Sequence, residues 1–161
     1  LLDQHVRVLS VPGHTRSHVA YVVHGHLFCG DTLFSLGCGR MFEGTAAQMH
    51  GSLQRLAALP GDTRVCCGHE YTLANARFAC EVEPDNAALA LALRRAEAVR
   101  QRASAVPTLP TTLASERDCN PFLRCDIATV RDAVAHRLGR TPADEVETFA
   151  ALRGWKDEFR G

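Results

Sequence analysis

An apolar run at residues 27–29 leads directly into Gly30-Asp31, and apolar residues resume at Leu33. The run has the length of a buried strand, and the Gly-Asp pair marks the turn at its end. The Asp31 carboxylate is therefore expected where a strand of the core reaches a loop, a common position for binding and catalytic groups in α/β folds. Two other turns carry a histidine, His14 upstream and His69 downstream. A site at this point requires the three turns to meet in the fold.

The segment before residue 71 combines short strand patterns, turns and one helix. Strands are predicted at residues 6–11, 20–23, 27–29 and 63–67. The second and third of these form a hairpin around His24-Gly25-His26. A helix is predicted from a Thr45 cap to the stop at Pro60-Gly61, and residues 37–40 are predicted to form a glycine-rich loop.

From Tyr71 onward the composition changes to Ala, Leu, Arg and Glu with helical spacing. Three helix starts are predicted after this point, at Asp85 or Asn86, at Asp126, and at a capping box of Thr141 with Pro142 in the first helical position. The helix after Asp126 is expected to bury Ile127, Val130, Val134 and Leu138 and to stop at Gly139. Residues 107–110 are interpreted as a short linker, with Thr111 and Thr112 behind it.

Composition excludes several classes of protein. The 18 Lys and Arg balance the 18 Asp and Glu, so neither nucleic acid nor a membrane surface is an expected partner. No stretch approaches about 18 consecutive apolar residues, so no transmembrane helix is expected, and no signal peptide is visible. The seven cysteines include no C-x-x-C pair, which favours free thiols in a reducing cytoplasm over disulfides or a zinc knuckle. With no net charge and no evident apolar patch, a monomer is expected.

Imidazole and carboxylate groups are natural ligands of divalent metals. His14 and Asp31 are separated by 16 residues, and Asp31 and His69 by 37, so only tertiary structure can assemble them. Taken alone, a histidine in a turn is more often a surface or hydrogen-bonded residue than a metal ligand. The residues by themselves leave both interpretations open.

Four local motifs carry a more specific signal. They are Pro12-Gly13-His14-Thr15-x-x-His18, Gly30-Asp31-Thr32-Leu33-Phe34, Gly37-Cys38-Gly39-Arg40-x-Phe42-Glu43-Gly44-Thr45, and Cys67-Gly68-His69-Glu70-Tyr71-Thr72. Their order and spacing resemble glyoxalase II, the hydroxyacylglutathione hydrolases of the metallo-β-lactamase superfamily. The later motifs Asn120-Pro121-Phe122-x-Arg124 and Arg153-x-x-Lys156-Asp157-x-Phe159 resemble the same family. The resemblance therefore covers essentially the whole chain.

The resemblance implies an α+β fold and a metal site. Residues 1–71 would be the C-terminal half of an αββα metallo-β-lactamase sandwich, and residues 72–161 an α-helical glutathione-binding domain. His14 would serve one of two divalent metals, His69 the other, and Asp31 would bridge both. Zinc is the first expectation, with iron or manganese as alternatives that accept the same ligands. His18 is expected to support the turn beside His14, and Glu70 to stiffen the turn after His69.

The resemblance also implies a reaction and a substrate. A metal-bound hydroxide, positioned by Asp31 as the catalytic residue, would hydrolyse S-(2-hydroxyacyl)glutathione, typically S-D-lactoylglutathione, in methylglyoxal detoxification. The products would be glutathione and a 2-hydroxy acid such as D-lactate. The glutathione moiety would lie against Arg40, Phe42, Tyr71, Arg153 and Lys156. Guanidinium and ammonium groups suit its two carboxylates, whereas Phe42 stands where the family commonly has a tyrosine hydroxyl. Without the resemblance, Arg153 and Lys156 are interpreted as exposed charges on a terminal helix.

One expected signature, His-x-His-x-Asp-His, is absent from this sequence. With His14, Asp31 and His69 alone, each metal has one private ligand plus the bridge, which is fewer than zinc requires. We therefore expect the C-terminal part of a glyoxalase II that exposes a sheet face and an edge. By itself it is expected to aggregate or to be a molten species, and to hydrolyse no thioester. Two alternatives are a glutathione-persulfide dioxygenase of the same superfamily, with a single iron, and a noncatalytic glutathione-binding remnant.

Overall fold

The computed structural model describes residues 4–101 and 106–160. The strands are β1 (Arg7–Ser10), β2 (Val19–Val23), β3 (His26–Gly30), β4 (Leu33–Phe34), β5 (Gly37–Cys38), β6 (Arg64–Cys67) and β7 (Thr111–Thr112). The helices are α1 (Ala46–Ala57), α2 (Thr72–Val82), α3 (Ala87–Arg100), α4 (Leu113–Cys119), α5 (Ala128–Leu138) and α6 (Glu145–Glu158), with a 3-10 turn at Pro121–Leu123 between α4 and α5. Within the described residues, no helix is both long enough and apolar enough to cross a membrane.

Five strands form one sheet in the order β1-β2-β3-β6-β7. The predicted hairpin of β2 and β3 is confirmed, and its turn residues His24 and Gly25 both have positive φ, 48° and 69°, as a type I′ turn requires. Strand β6 runs parallel to β3, with Gly30 opposite Cys67. Because parallel strands end at the same edge of a sheet, the turn containing Asp31 emerges beside the turn that follows β6.

Strands β4 and β5 form a separate two-stranded hairpin. The predicted loop at residues 37–40 is therefore wrong at its first two positions. Gly37 lies against α2, where a Cβ atom would come within 2.5 Å of Asn75 Nδ2. The glycine serves this close approach, and a pattern of two glycines does not distinguish that role from a loop.

Thr111 and Thr112, which follow the predicted linker, pair with β6 as strand β7, a strand that the sequence did not predict. The helical part of the chain thus supplies the last strand of the sheet. The larger of two apolar clusters among the described residues joins the two parts, with Leu27, Leu53 and Phe149 all fully buried in it. The division of the chain into two domains after residue 71 stays a prediction.

Helix α1 has the predicted beginning. The Thr45 side chain accepts a hydrogen bond from the Gln48 amide, and the Gln48 side chain accepts one from the Thr45 amide. The predicted Asn86 cap of α3 is also confirmed, since its side chain accepts a hydrogen bond from the Leu89 amide. Gly139 ends α5 in the left-handed conformation, with φ 69°.

Two predicted helix starts are wrong. The Ile127 amide donates to Arg124 O in a turn that follows the 3-10 segment, and α5 begins only at Ala128, with Ile127 in the N-cap position. Asp126 is therefore no cap, and Ile127 and Leu138 are 37% and 40% exposed. The capping box at Thr141 is likewise absent, because Asp144 caps α6 by accepting from the Glu147 amide.

One face of the sheet carries exposed apolar side chains. Val8, Tyr21 and Phe28 are direct neighbours across three strands and are 56%, 45% and 45% exposed. The expectation that the chain has no apolar patch is therefore wrong. The expectation of an exposed sheet face is confirmed by the same residues, and the oligomeric state stays a prediction.

Candidate metal and substrate site

The structure brings the three predicted turns together at the strand ends. His14 Nε2 lies 3.5 Å from Asp31 Oδ2, and His69 Nε2 lies 3.3 Å from Asp31 Oδ1. Each imidazole thus approaches a different oxygen of the same carboxylate. Asp31 Oδ1 is buried and has no hydrogen bond to any other described residue. A buried carboxylate oxygen without a donor is costly unless another positive group accompanies it.

His14 is held by its other ring nitrogen. Its Nδ1 lies 2.9 Å from Arg40 O, and because a carbonyl only accepts, Nδ1 carries the proton. In the neutral imidazole the Nε2 lone pair then faces Asp31. Two groups that both offer lone pairs are suited to share a cation, and a backbone carbonyl is a typical partner for the second nitrogen of a metal-binding histidine.

The Asp31 turn depends on close backbone approaches. The Asp31 amide donates to His18 Nε2 at 3.3 Å, which agrees with the expected supporting role of His18. Gly30 has φ 52°, and a Cβ atom there would lie 2.7 Å from His18 Nε2. A Cβ atom at Gly68 would lie 2.6 Å from Asp31 Oδ1. Glycine at these two positions therefore lets the two turns pack against each other at the carboxylate.

Aromatic rings orient His69. Its imidazole stacks on Tyr71 with ring centres 5.1 Å apart, and Phe34 meets Tyr71 edge-on at 5.3 Å. The next residue along the turn is also fixed, because Glu70 Oε1 accepts hydrogen bonds from the amide and hydroxyl of Thr108. These hydrogen bonds hold the pKa of Glu70 below its ordinary value. Glu70 therefore stiffens the turn, as the sequence predicts.

One cavity of about 550 Å³ contains the whole predicted site. It is lined by all of the residues predicted to bind metal or glutathione, namely His14, Asp31, Arg40, Phe42, His69, Tyr71, Arg153 and Lys156. Its volume lies in the range of small-molecule sites. Phe42 is 71% exposed, and its ring centre lies 5.0 Å from that of His14. The tertiary structure therefore joins residues from both ends of the chain.

Arg153 is buried. The interpretation of this residue as an exposed charge on a terminal helix is therefore wrong. The residue is 5% exposed, and its guanidinium donates to Cys38 O at 3.0 Å and to Asp157 Oδ1 at 3.0 Å. Arg40 Nε also lies 3.4 Å from Asp157 Oδ1. Asp157 thus links the two arginines, a role that was not predicted from the sequence. Its spacing four residues after Arg153 on a helix is the one signal that could have found it.

Lys156 has an apolar setting. Its Nζ donates to Ala74 O at 2.9 Å and lies over the rings of Phe78 and Phe159, 5.2 Å and 5.5 Å from their centres. Burial, followed by the nearby charge of Arg153, lowers the pKa of Lys156 to about 8. The ammonium therefore titrates close to neutral pH.

The donors fit a metal site in type but not in number. Nitrogen and oxygen ligands around a shared carboxylate suit divalent ions, and the buried Asp31 Oδ1 fits a bridging role. Among residues 4–101 and 106–160, however, no group of three or more His, Cys, Asp or Glu side chains is arranged to hold an ion. His14, Asp31 and His69 by themselves therefore do not make a complete metal site.

Two family models match this chain. Residues 2–69 match the model described as Metallo-beta-lactamase superfamily, and residues 70–159 match the model described as Hydroxyacylglutathione hydrolase C-terminus. The fold and the site thus define a member of the metallo-β-lactamase superfamily, which implies the use of divalent metal. The chain belongs to the hydroxyacylglutathione hydrolase family. The resemblance and the α+β fold class inferred from the sequence are confirmed.

Individual relatives agree with this assignment. The hydroxyacylglutathione hydrolases of Xanthomonas axonopodis pv. citri (strain 306) and Xylella fastidiosa (strain M23) are 62% and 57% identical over 99% of this chain. The chain spans 62% and 61% of their lengths. ETHE1 from Myxococcus xanthus is a structural neighbour with a TM-score of 0.55 and 25% identity, over 96% of this chain and 47% of its own. A metallo-beta-lactamase from Staphylococcus aureus, with a TM-score of 0.51 and 19% identity over 96% of this chain and 39% of its own, shares the fold.

Proposed function

We propose that this chain carries the glutathione subsite and one wall of the metal site of a thioester hydrolase. The substrate class is S-(2-hydroxyacyl)glutathione, typically S-D-lactoylglutathione, which is cleaved to glutathione and a 2-hydroxy acid. The observation that carries the proposal is the Asp31 carboxylate between His14 and His69, in the same cavity as Arg40 and Lys156. The family assignment and the names of the relatives support the same substrate class.

The metal-side residues would hold an electropositive metal centre next to the substrate. Asp31 presents one oxygen to each histidine, and the Gly68 turn packs against it so closely that a Cβ atom at Gly68 would lie 2.6 Å from Asp31 Oδ1. When bound, two divalent ions, with zinc proposed before iron or manganese, supply a nucleophilic water at neutral pH and polarise the thioester carbonyl. No protein nucleophile is needed for that reaction.

The substrate-side residues bind the two carboxylates of glutathione. Lys156 brings an ammonium group, and the exposed guanidinium of Arg40 is free to turn from Asp157 towards a ligand. Arg153 has two donors engaged by Cys38 O and Asp157, so it acts mainly through the positive charge it adds to the cavity. Phe42 and Tyr71 contribute ring surfaces on either side of the histidines.

The cellular compartment and the oligomeric state are also proposed. All seven cysteines are free thiols, in agreement with a reducing cytoplasm. A monomer is proposed for the catalytically competent protein. The exposed row of Val8, Tyr21 and Phe28 makes self-association of the 161-residue chain itself a separate expectation.

Binding of S-methylglutathione, which has no thioester to cleave, tests the substrate class in this chain. We expect calorimetric binding that weakens about fivefold in Arg40→Ala, the range for an exposed ion pair. Arg64→Ala is the matched control, since Arg64 is exposed on β6 and lies outside the cavity. Absence of binding, or equal losses in the two variants, would contradict a glutathione subsite.

Turnover tests the metal site. With zinc added, we expect no loss of the thioester absorbance of S-D-lactoylglutathione, because three donors cannot complete two coordination sets. Hydrolysis by the 161-residue chain would show that these donors suffice. A coding sequence that continues upstream of Leu1 with a His-x-His-x-Asp-His cluster would supply the further donors, and hydrolysis is expected of that protein. Oxygen consumption with glutathione persulfide would instead support the dioxygenase alternative.

A further inference from the structure

The main chain of the β4–β5 hairpin is held by side chains from the helical part. The turn residue Leu36 has φ 59°, an unusual value for a residue with a branched side chain. Its amide donates to Glu116 Oε2 at 2.8 Å, and the neighbouring Ser35 O accepts from Asn75 Nδ2 at 3.0 Å. Asn120 Nδ2 donates to Phe34 O and Gly37 O at 3.2 Å and 3.0 Å. Helices α2 and α4 and the residue that follows α4 thus replace the hydrogen bonds that so short a hairpin cannot make itself.

Glu116 and Asn120 form the centre of this arrangement. Both residues are fully buried, and Asn120 Nδ2 also lies 3.0 Å from Glu116 Oε2. Burial raises the pKa of Glu116, against the lowering effect of the hydrogen bonds from Leu36 and Asn120. Burial of a carboxyl group costs free energy unless hydrogen bonds compensate for it, and the bonds from Leu36 and Asn120 provide that compensation here. Neither residue lines the cavity of the proposed site.

The hairpin connects the parts of the site. Phe34 of β4 packs edge-on against Tyr71 and lies 6.0 Å from the His69 ring centre. At the other end, the Gly39 amide donates to Thr32 O beside Asp31. The residue that follows, Arg40, accepts the His14 Nδ1–H hydrogen bond through its carbonyl. A shift of the hairpin would therefore move supports of both histidines at once.

We propose that Glu116 and Asn120 are positioning residues that fix the β4–β5 hairpin and thereby orient His14 and His69. They act through the hairpin backbone and touch neither substrate nor metal. The role rests on the proposed function for its importance to catalysis, but the juxtaposition itself is testable without turnover.

Three substitutions test the hydrogen-bond acceptor of Glu116 and the donors of Asn120 separately. Glu116→Gln keeps an oxygen that can accept from Leu36 and Asn120. Glu116→Leu removes the acceptor and leaves the Leu36 amide buried without a partner, and Asn120→Asp removes the donors while keeping the oxygen that accepts from the Phe122 amide. Asp118→Asn is the matched control, because Asp118 is an exposed acid of the same helix.

Hydrogen exchange of the Leu36 amide and the ring signals of His14 and His69 in nuclear magnetic resonance spectra are the readouts. In Glu116→Leu and Asn120→Asp we expect exchange at the hairpin to rise about 10- to 100-fold, the range for loss of a buried hydrogen bond. Both histidine signals should move in the same variants. Glu116→Gln should retain the wild-type exchange rate and ring signals, and the control Asp118→Asn should leave both unchanged.

Global destabilisation alone would also raise exchange, by an amount that follows from the loss of unfolding free energy measured with urea. The proposal is overturned if exchange at the hairpin rises by no more than that amount. It is also overturned if the hairpin loosens while both histidine signals stay in place. Should Glu116→Leu fail to fold, the comparison of Asn120→Asp with Glu116→Gln decides. Absence of S-methylglutathione binding in the wild-type chain would count against the proposed function and not against this role.

Discussion

The pKa of Lys156 makes glutathione binding depend on pH in a direction that can be worked out. Burial lowers this pKa to about 8, so about nine tenths of the ammonium is charged at pH 7 and about one tenth at pH 9. If the ammonium strengthens carboxylate binding about tenfold over the neutral amine, the affinity for S-methylglutathione should fall about fivefold between these pH values.

Stability should change in the opposite direction. The pKa of Lys156 is about 8 in the folded chain and 10.5 in an unperturbed lysine. Between these values the unfolded chain binds more protons than the folded chain, so the contribution of Lys156 to the unfolding free energy rises with pH. Weaker binding above pH 8 can therefore not be attributed to Lys156-dependent loss of the fold.

The amino group of the ligand also titrates in this pH range. Two substitutions of Lys156 separate the effect of the Lys156 ammonium from that of the ligand. Lys156→Arg keeps its charge at all these pH values, so its affinity should stay nearly constant where that of the wild type falls. Lys156→Met should bind about tenfold more weakly at pH 7 and lose the wild-type dependence. Calorimetric titration at pH 7, 8 and 9 measures all three. Parallel pH profiles for the wild type and Lys156→Arg would refute the reasoning.

Three further predictions address the metal site, the exposed face and a helix cap. Asp31→Asn should weaken zinc binding by about 100-fold or more, since even outer partners of metal ligands are worth about 10- to 100-fold; competition with a chromophoric chelator measures it, and exposed Asp62→Asn is the control. Phe28→Glu should reduce self-association in sedimentation, whereas Leu91→Glu, which changes a 40% exposed residue of α3, should not. Thr45→Ala should cost about 1 kcal/mol in urea unfolding because it removes the α1 capping box. An equal loss in Thr141→Ala would contradict the observed start of α6.

Local signals in the sequence were reliable where the local chain decides the structure. The capping box at Thr45, the Asn86 cap and the left-handed Gly139 all follow from hydrogen bonds between residues a few positions apart. Asp126 failed because it lies inside a separate turn that the Ile127 amide closes on Arg124 O, so that Ile127 and not Asp126 occupies the N-cap position. A cap preference is thus a weak guide where another turn immediately precedes the helix.

Pairing between distant segments could not be predicted in the same way. Thr111 and Thr112 form a strand because β6 offers a free edge, and two threonines give no periodicity to detect. The burial of Arg153 depends on Cys38 O, which lies 115 residues earlier in the chain. The resemblance identified the eight cavity residues as a group, but only the parallel register of β3 and β6 explains why Asp31 and His69 are neighbours.

The metal-side and helical parts of the chain depend on each other through side-chain contacts. His69 follows the last parallel strand, yet its ring is held by Tyr71 and Phe34. Phe34 in turn belongs to a hairpin whose turn is bound by Glu116 and by other side chains of the helical part. The proposed division after residue 71 therefore passes through the site and does not separate a complete metal centre from its substrate subsite. Helical residues that bind no ligand thus contribute to the geometry in which Asp31 faces both histidines.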